Sequence, residues 1–212
     1  MRVVKTAEER KNEILDVAEQ LFAEKGFDNA STNDIIHKIG IARGTLYHHF
    51  GSKEEILDAL VERMTGQAIR RARAVTSDQS IPLLERLSAM IISLDINSGA
   101  GVEVLEQMHR PQNALLHQKM QERLMDGVVP LITSLIEEGN ETGIFHSKYP
   151  AQAAEMIMTY ANTAFDTLAG TDPDQVERKR QAFICHTERI LGAREGSLEA
   201  TIMRIFSRQD DQ

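Results

Sequence analysis

The 212 residues contain a single cysteine, Cys185, no tryptophan and five prolines. One cysteine excludes an internal disulfide framework and gives no CxxC or Cys/His spacing for a structural metal. No run approaches the ~18 consecutive apolar residues that a membrane span needs. The N-terminal "MRVVKTAEERK" turns charged within its first five residues and has no apolar signal region. These absences point to a cytoplasmic protein with no membrane partner, metal or cofactor. Basic residues are also in the minority, with 24 Lys and Arg against 32 Asp and Glu and a net charge of −8. That balance excludes a protein that coats nucleic acid through bulk electrostatics. One segment departs from it. Residues 30–53 hold Lys38, Arg43 and Lys53 against Asp34 alone, a local +2 that leaves −10 elsewhere, with His37, His48 and His49 alongside. Any nucleic-acid footprint is therefore local.

Signatures of catalysis are missing too. There is no Gly-rich phosphate loop, GxSxG, HExxH or paired-carboxylate site. Cys185 and His186 are neighbours, but adjacent residues of a helix face different directions, so an inert core cysteine is expected rather than a nucleophile. An enzyme is not expected.

What is present is helix. A hydrophobic content of 42% with 26% charged residues describes an ordinary globular chain, and no segment alternates as a strand does. Residues 6–25 place Ile14, Leu15, Ala18, Leu21 and Phe22 at helical spacing; Thr6 and Glu9 form a capping box and Gly26 a stop. A second helix is expected over about 32–39, capped by Ser31 or Thr32 and ended by Gly40. A third covers about 43–49. A long fourth starts behind Ser52 with Glu54 and Glu55 in its dipole-favoured first turn and runs to about 75. Further helices are expected over 81–96, 101–110, 113–143 with Pro130 inside, 151–170, 173–193 and 198–206, followed by a frayed tail. The fold class is all-α: three short helices over 1–52 and a larger helical body over 53–212.

The two short helices around Gly40 fit a helix-turn-helix, whose second helix enters the major groove of DNA. Arg43 can fork onto guanine, and Thr45 can meet a thymine methyl or hydrogen-bond. Tyr47, His48 and His49 can reach phosphates. Ser31 and Thr32 open a helix whose amides attract a phosphate, and Lys53 stands at the next helix start. Gly44 is the oddity, since an interior glycine costs a helix roughly 1 kcal/mol. Leu46, Phe50 and Ile41 read as core. The stretch "TNDIIHKIGIARGTLYHHFGSKEEIL" resembles the TetR family of bacterial transcriptional repressors, matching at Thr32, Ile35, Gly40, Gly44, Thr45, Leu46, Tyr47, His49, Phe50, Ser52, Lys53, Glu54 and Glu55. Three positions depart: Ile36 and Ile39 replace the usual alanines, and Ala42 replaces the usual serine. The last removes a hydroxyl that would cap the third helix or bind a phosphate.

The resemblance implies an N-terminal three-helix helix-turn-helix DNA-binding domain at 1–52 and a larger C-terminal helical regulatory, ligand-binding and dimerisation domain at 53–212, acting as a homodimer on a pseudo-palindromic operator of double-stranded DNA and released by a small-molecule effector. It also implies that 151–170 and 173–193 pair with their copies in a four-helix bundle. Ala153, Ala154, Met158, Ala161 and Phe165 are the expected face of the first. Val176, Phe183, Ile184, Thr187, Ile190 and Leu191 are that of the second. Candidate effector contacts are Met90, Met108, His109, His117, Tyr160, Asn162 and Asp166, with Met120, Met156 and Met158 as further pliable walls. The competing class is a helical sensor that binds small molecules or proteins without DNA. The effector's identity, the operator sequence and the sense of regulation are not written in the residues.

Overall fold

The computed structural model describes residues 5–94, 113–165 and 172–210, with side chains described to 207. Among them the elements are α1 (Ala7–Lys25), α2 (Thr32–Ile39), α3 (Arg43–His49), α4 (Lys53–Ser77), α5 (Leu83–Ser93), α6 (Ala114–Glu141), α7 (Pro150–Phe165), α8 (Pro173–Leu191) and α9 (Glu199–Asp210). The described residues contain no strand. The helix expected over 101–110 lies outside them. No described helix is long and apolar enough to cross a membrane.

Local chemistry sets the helix ends in the head. Thr6 accepts from the Glu9 amide at 3.2 Å, and the Glu9 carboxylate accepts from the Thr6 amide at 2.7 Å. Ser31 is the cap of α2, in a second reciprocal box with Asp34. Gly40 ends α2 with φ +75°, a left-handed conformation that suits glycine, and so turns the chain sharply into α3. The Ser52 hydroxyl accepts from the Glu55 amide at 3.1 Å and opens α4.

The chain packs as two compact units. Among the described residues, one takes 5–67 and 113–124, and the other takes 68–94, 125–165 and 172–210. This division does not fall at residue 52, because Ile56, Leu57, Leu60 and Val61 of α4 are buried in the same core as α1 to α3. That core gathers Ile14, Leu15, Ala18, Leu21 and Phe22 with Phe27, Ile35, Leu46 and Phe50, and takes in Leu116 and Met120 of α6. Ile36 and Ile39 pack on its edge, so the bulk expected there is accommodated half-buried. Arg63 of α4 binds Asp16 and Glu19 of α1 at 2.7 and 2.6 Å.

The second unit closes around Phe145, Leu135, Ile136, Met90 and Leu191. A Cβ on Gly139 would lie 2.1 Å from the buried Phe145 ring, so glycine is required where "EEGNE" reads only as a helix end. Tyr160, Phe165, Phe183 and Phe206 form an aromatic cluster from α7, α8 and α9, with centroids 4.7–6.4 Å apart. Helix α6 runs through Pro130 without interruption, and α9 continues to Asp210, past the expected stop at 206.

The residues expected at the dimer face divide into two sets. Ala153, Ala154, Ile184, Thr187 and Leu191 are buried within the chain's own unit. Met158, Ala161, Phe165, Val176, Phe183 and Ile190 are half-buried. The exposed stripe of α7 is Gln152, Glu155, Met156, Thr159, Tyr160 and Thr163, at 60% exposure for Met156 and 48% for Tyr160. Cys185, expected in the core, is partly exposed.

Candidate nucleic-acid interface

The exposed face of the helix-turn-helix is built by subtraction. Leu46 and Phe50 of α3, four residues apart, point into the core and are 0% and 2% exposed. That orientation leaves Arg43, Gly44, Tyr47 and His48 exposed on the opposite side, with Thr45 and His49 half-buried at its margins. Helix α3 starts at Ala42 without a side-chain cap; its first bonds are the Thr45 and Leu46 amides to the Ala42 carbonyl, at 2.9 and 3.4 Å. The missing serine hydroxyl has no substitute from a neighbouring side chain.

Gly44 needs no special backbone conformation, since its φ is not positive, and a Cβ built on it meets nothing within 4 Å. Nothing among the described residues calls for glycine there. The Arg43 guanidinium lies 5.3 Å from the Tyr47 ring centroid, a cation–π contact at the protein surface. The Tyr47 hydroxyl is 3.4 Å from that of Thr32 at the first residue of α2. Thr32, and after it Arg43, draws the Tyr47 phenol below its ordinary pKa, which strengthens it as a donor toward an anion. His48 and His49 stand edge to face with ring centroids 5.3 Å apart. The arrangement can offer a fork of donors, a phenol, a hydroxyl and an imidazole to a polyanion, with a gap at Gly44 for close approach.

Two expected contacts have internal duties. The Ser31 hydroxyl and amide both bind Asp34, at 2.6 and 2.8 Å, and together with Lys25 they hold its carboxyl down to about 2. The Lys53 ammonium, expected to meet a phosphate, turns inward to the carbonyls of Phe27 and Ala30 at 2.8 and 3.0 Å. Ser31 and Lys53 therefore shape the surface.

The candidate effector contacts within the described residues have varied surroundings. Met90 is closed inside the core of the second unit and Met120 inside that of the first. Met156 and Tyr160 are exposed, Met158 and Asn162 are half-buried, and half-buried His117 has Nε2 3.3 Å from the Gln121 amide nitrogen. Met108, His109 and Asp166 lie outside the described residues. Sequence reasoning missed Arg86, which is buried, binds the carboxylate of Glu138 through both Nη atoms, and donates to the Ile81 and Thr76 carbonyls at 2.9 and 3.1 Å. It also missed Glu188, buried and accepting from the Gly196 and Leu198 amides at 2.9 and 2.8 Å. A signal exists in the sequence: Arg86 falls on the Leu83–Met90 stripe and Glu188 on the Ile184–Leu191 stripe, where a charge needs a partner.

These features have counterparts in known proteins. The family model for bacterial regulatory proteins of the tetR family matches residues 14–60, and that for the tetracyclin repressor-like C-terminal domain matches 97–184. The fatty acid metabolism regulator protein of Bacillus subtilis (strain 168) is 30% identical over 135 residues, which cover 62% of this chain and 68% of that protein. The HTH-type transcriptional repressor KstR2 of Mycobacterium tuberculosis (strain CDC 1551 / Oshkosh) is 34% identical over 108 residues, 51% of this chain and about half the length of that relative. In fold, the structure of the fatty acid degradation regulator FadR from Bacillus halodurans aligns with a TM-score of 0.55 over 93% of each chain, at 22% identity. The chain belongs to the TetR family of bacterial regulatory proteins. It thus stands among regulators, not enzymes.

Proposed function

We propose that the protein is a transcriptional repressor that binds a pseudo-palindromic operator as a homodimer and leaves it when a small-molecule effector binds. Helix α3 enters the major groove, where Arg43 and Thr45 read base edges and Tyr47, Thr32, His48 and His49 hold phosphates. The observation that carries the reading is Gly44. It weakens a short helix, nothing among the described residues requires it, and it sits in the middle of the exposed face. An outside surface that approaches the helix backbone supplies the missing reason.

A single three-helix head has a small footprint, so two heads on half-sites about 34–36 Å apart are expected. The face we assign to the second copy is the exposed stripe of α7 with Met156 and Tyr160 at its centre, in place of the alanines that the chain itself buries. The effector must bind the DNA-incompetent state better, by about 5.5 kcal/mol to move the balance from 1:99 to 99:1. Two relatives named for fatty acid metabolism or degradation make fatty acids and their derivatives the first compounds to screen.

The test is selection of duplex DNA from a random pool by the full chain, followed by anisotropy titrations at several salt concentrations. A symmetric site bound at least ~10³-fold better than random duplex, with log affinity falling as salt rises, is expected. Equal affinity for selected and random DNA would leave the helical sensor without DNA as the better account.

A further inference from the structure

Lysine is the wrong charge for the first turn of a helix, where the dipole favours acids, and α4 nevertheless begins with Lys53 ahead of Glu54 and Glu55. The tertiary structure resolves that conflict. The ammonium donates to the Phe27 carbonyl at 2.8 Å and the Ala30 carbonyl at 3.0 Å, with the Asp28 carbonyl at 3.5 Å. It also lies 4.2 Å from the centroid of the Phe27 ring. Phe27 and Ala30 are buried, and Lys53 itself is half-buried. An ammonium has three protons, and these carbonyls take them.

All three carbonyls belong to the turn between α1 and α2. The turn hands the chain directly to Ser31 and Thr32, the start of the helix that faces a phosphate in the proposed complex. Phe27 and Ala30 anchor the turn in the head's apolar core, with the Phe27 ring 5.3 Å from that of Phe22, but its other hydrogen bonds are local or exposed: the Ala30 backbone amide to the Gly26 carbonyl at 3.2 Å, the Asn29 side-chain amide to the Lys25 carbonyl at 3.1 Å, and Lys25 to Asp34 at 3.1 Å. The Lys53 side chain alone, among the described hydrogen bonds, ties this turn to α4. We infer that Lys53 is a positioning residue: it carries the α1–α2 turn, and through it the N-terminus of α2, rather than touching DNA. This rests on the DNA-binding reading of the same face.

The two roles separate experimentally. Lys53→Met keeps the aliphatic stem and removes the ammonium; Lys53→Arg keeps the charge but replaces three converging donors with a flat fork. Each is compared with the full-length wild type for binding to the duplex that wild type selects from a random pool. Backbone amide exchange across 27–34 is measured without DNA. A positioning role predicts that both variants lose about tenfold in affinity while the salt slope keeps its wild-type value, and that exchange across 27–34 quickens. A phosphate contact predicts instead that Lys53→Met lowers the slope by about 0.9, that Lys53→Arg binds as wild type does, and that exchange is unchanged, which would overturn the inference. If Lys53→Met unfolds the head, Lys53→Arg alone decides between the two sets of outcomes. If wild type selects no DNA, the functional reading fails, and the exchange measurement still confirms or refutes the tether.

Discussion

Replacing Gly44 with alanine should make the protein more stable and a poorer binder of DNA at once. The stability side follows from the structure. The residue has an ordinary helical φ, a Cβ there meets nothing within 4 Å, and alanine exceeds glycine by about 0.8–1.0 kcal/mol in a helix interior. Position 44 is the second residue of α3, where fewer helical bonds depend on it, so roughly half of that gain is expected. At about 2–4 °C per kcal/mol for a chain of this size, the melting temperature should rise by about 1–2 °C. The binding side follows from the same open space. If DNA fills it, a methyl group intrudes into a packed interface, and the affinity should fall about tenfold, or 1.4 kcal/mol. Thermal melts followed by circular dichroism and anisotropy titrations with the selected duplex measure both. A variant that is stabilised yet binds DNA as well as wild type would refute the reasoning, because the glycine would then face no partner. One that is destabilised would show that the chain itself needs glycine at 44.

Three other perturbations test the rest of the structure. Tyr160→Glu, on the exposed stripe of α7, should convert the proposed dimer to a folded monomer in sedimentation; Ala154→Glu, a charge forced into the core at a fully buried site, should unfold the second unit instead. A folded monomer from Ala154→Glu would restore the alanine stripe as the interface. Arg86→Ala strands the Glu138 carboxylate and the Ile81 and Thr76 carbonyls, and should cost about 3 kcal/mol, a fall of roughly 6–12 °C in melting temperature. Asp34 is held down to about 2 from 3.8 by Ser31 and Lys25, so its support for α2 is present above pH ~4 and lost as pH falls toward ~2. Asp34→Asn should remove that acid-limb loss, read as α2 amide exchange against pH. An unchanged profile would remove Asp34 from the cause.

Features that depend on a few consecutive residues are legible in the sequence. Thr6 with Glu9, Gly26, Gly40 and Ser52 end or begin helices where expected, because a cap is satisfied within one turn. The face of α3 is legible for a similar reason: Leu46 and Phe50 fix which side is buried, and so which side is not. Helices α7 and α8 are harder. Their periodicity marks an apolar stripe but not whose core covers it, and alanine, cheap on either face, hides the answer. Lys53 and Arg86 escape a sequence reading because their partners lie 23–26 and up to 52 residues away. A long side chain can satisfy a charge with backbone carbonyls that carry no sequence signature.

By itself, then, the sequence determined the described helices, the caps at Thr6, Ser31 and Ser52 and the outward set Arg43, Gly44, Tyr47 and His48, since all of these follow from bonds and spacings within a turn or two. Only the tertiary structure decided that Lys53 turns inward to the α1–α2 turn, that Arg86 and Glu188 are buried with partners, and that Ala153 and Ala154 face their own core. Those outcomes depend on which distant elements meet, and desolvating a charge or covering an apolar stripe is favourable only where the partner is already in place.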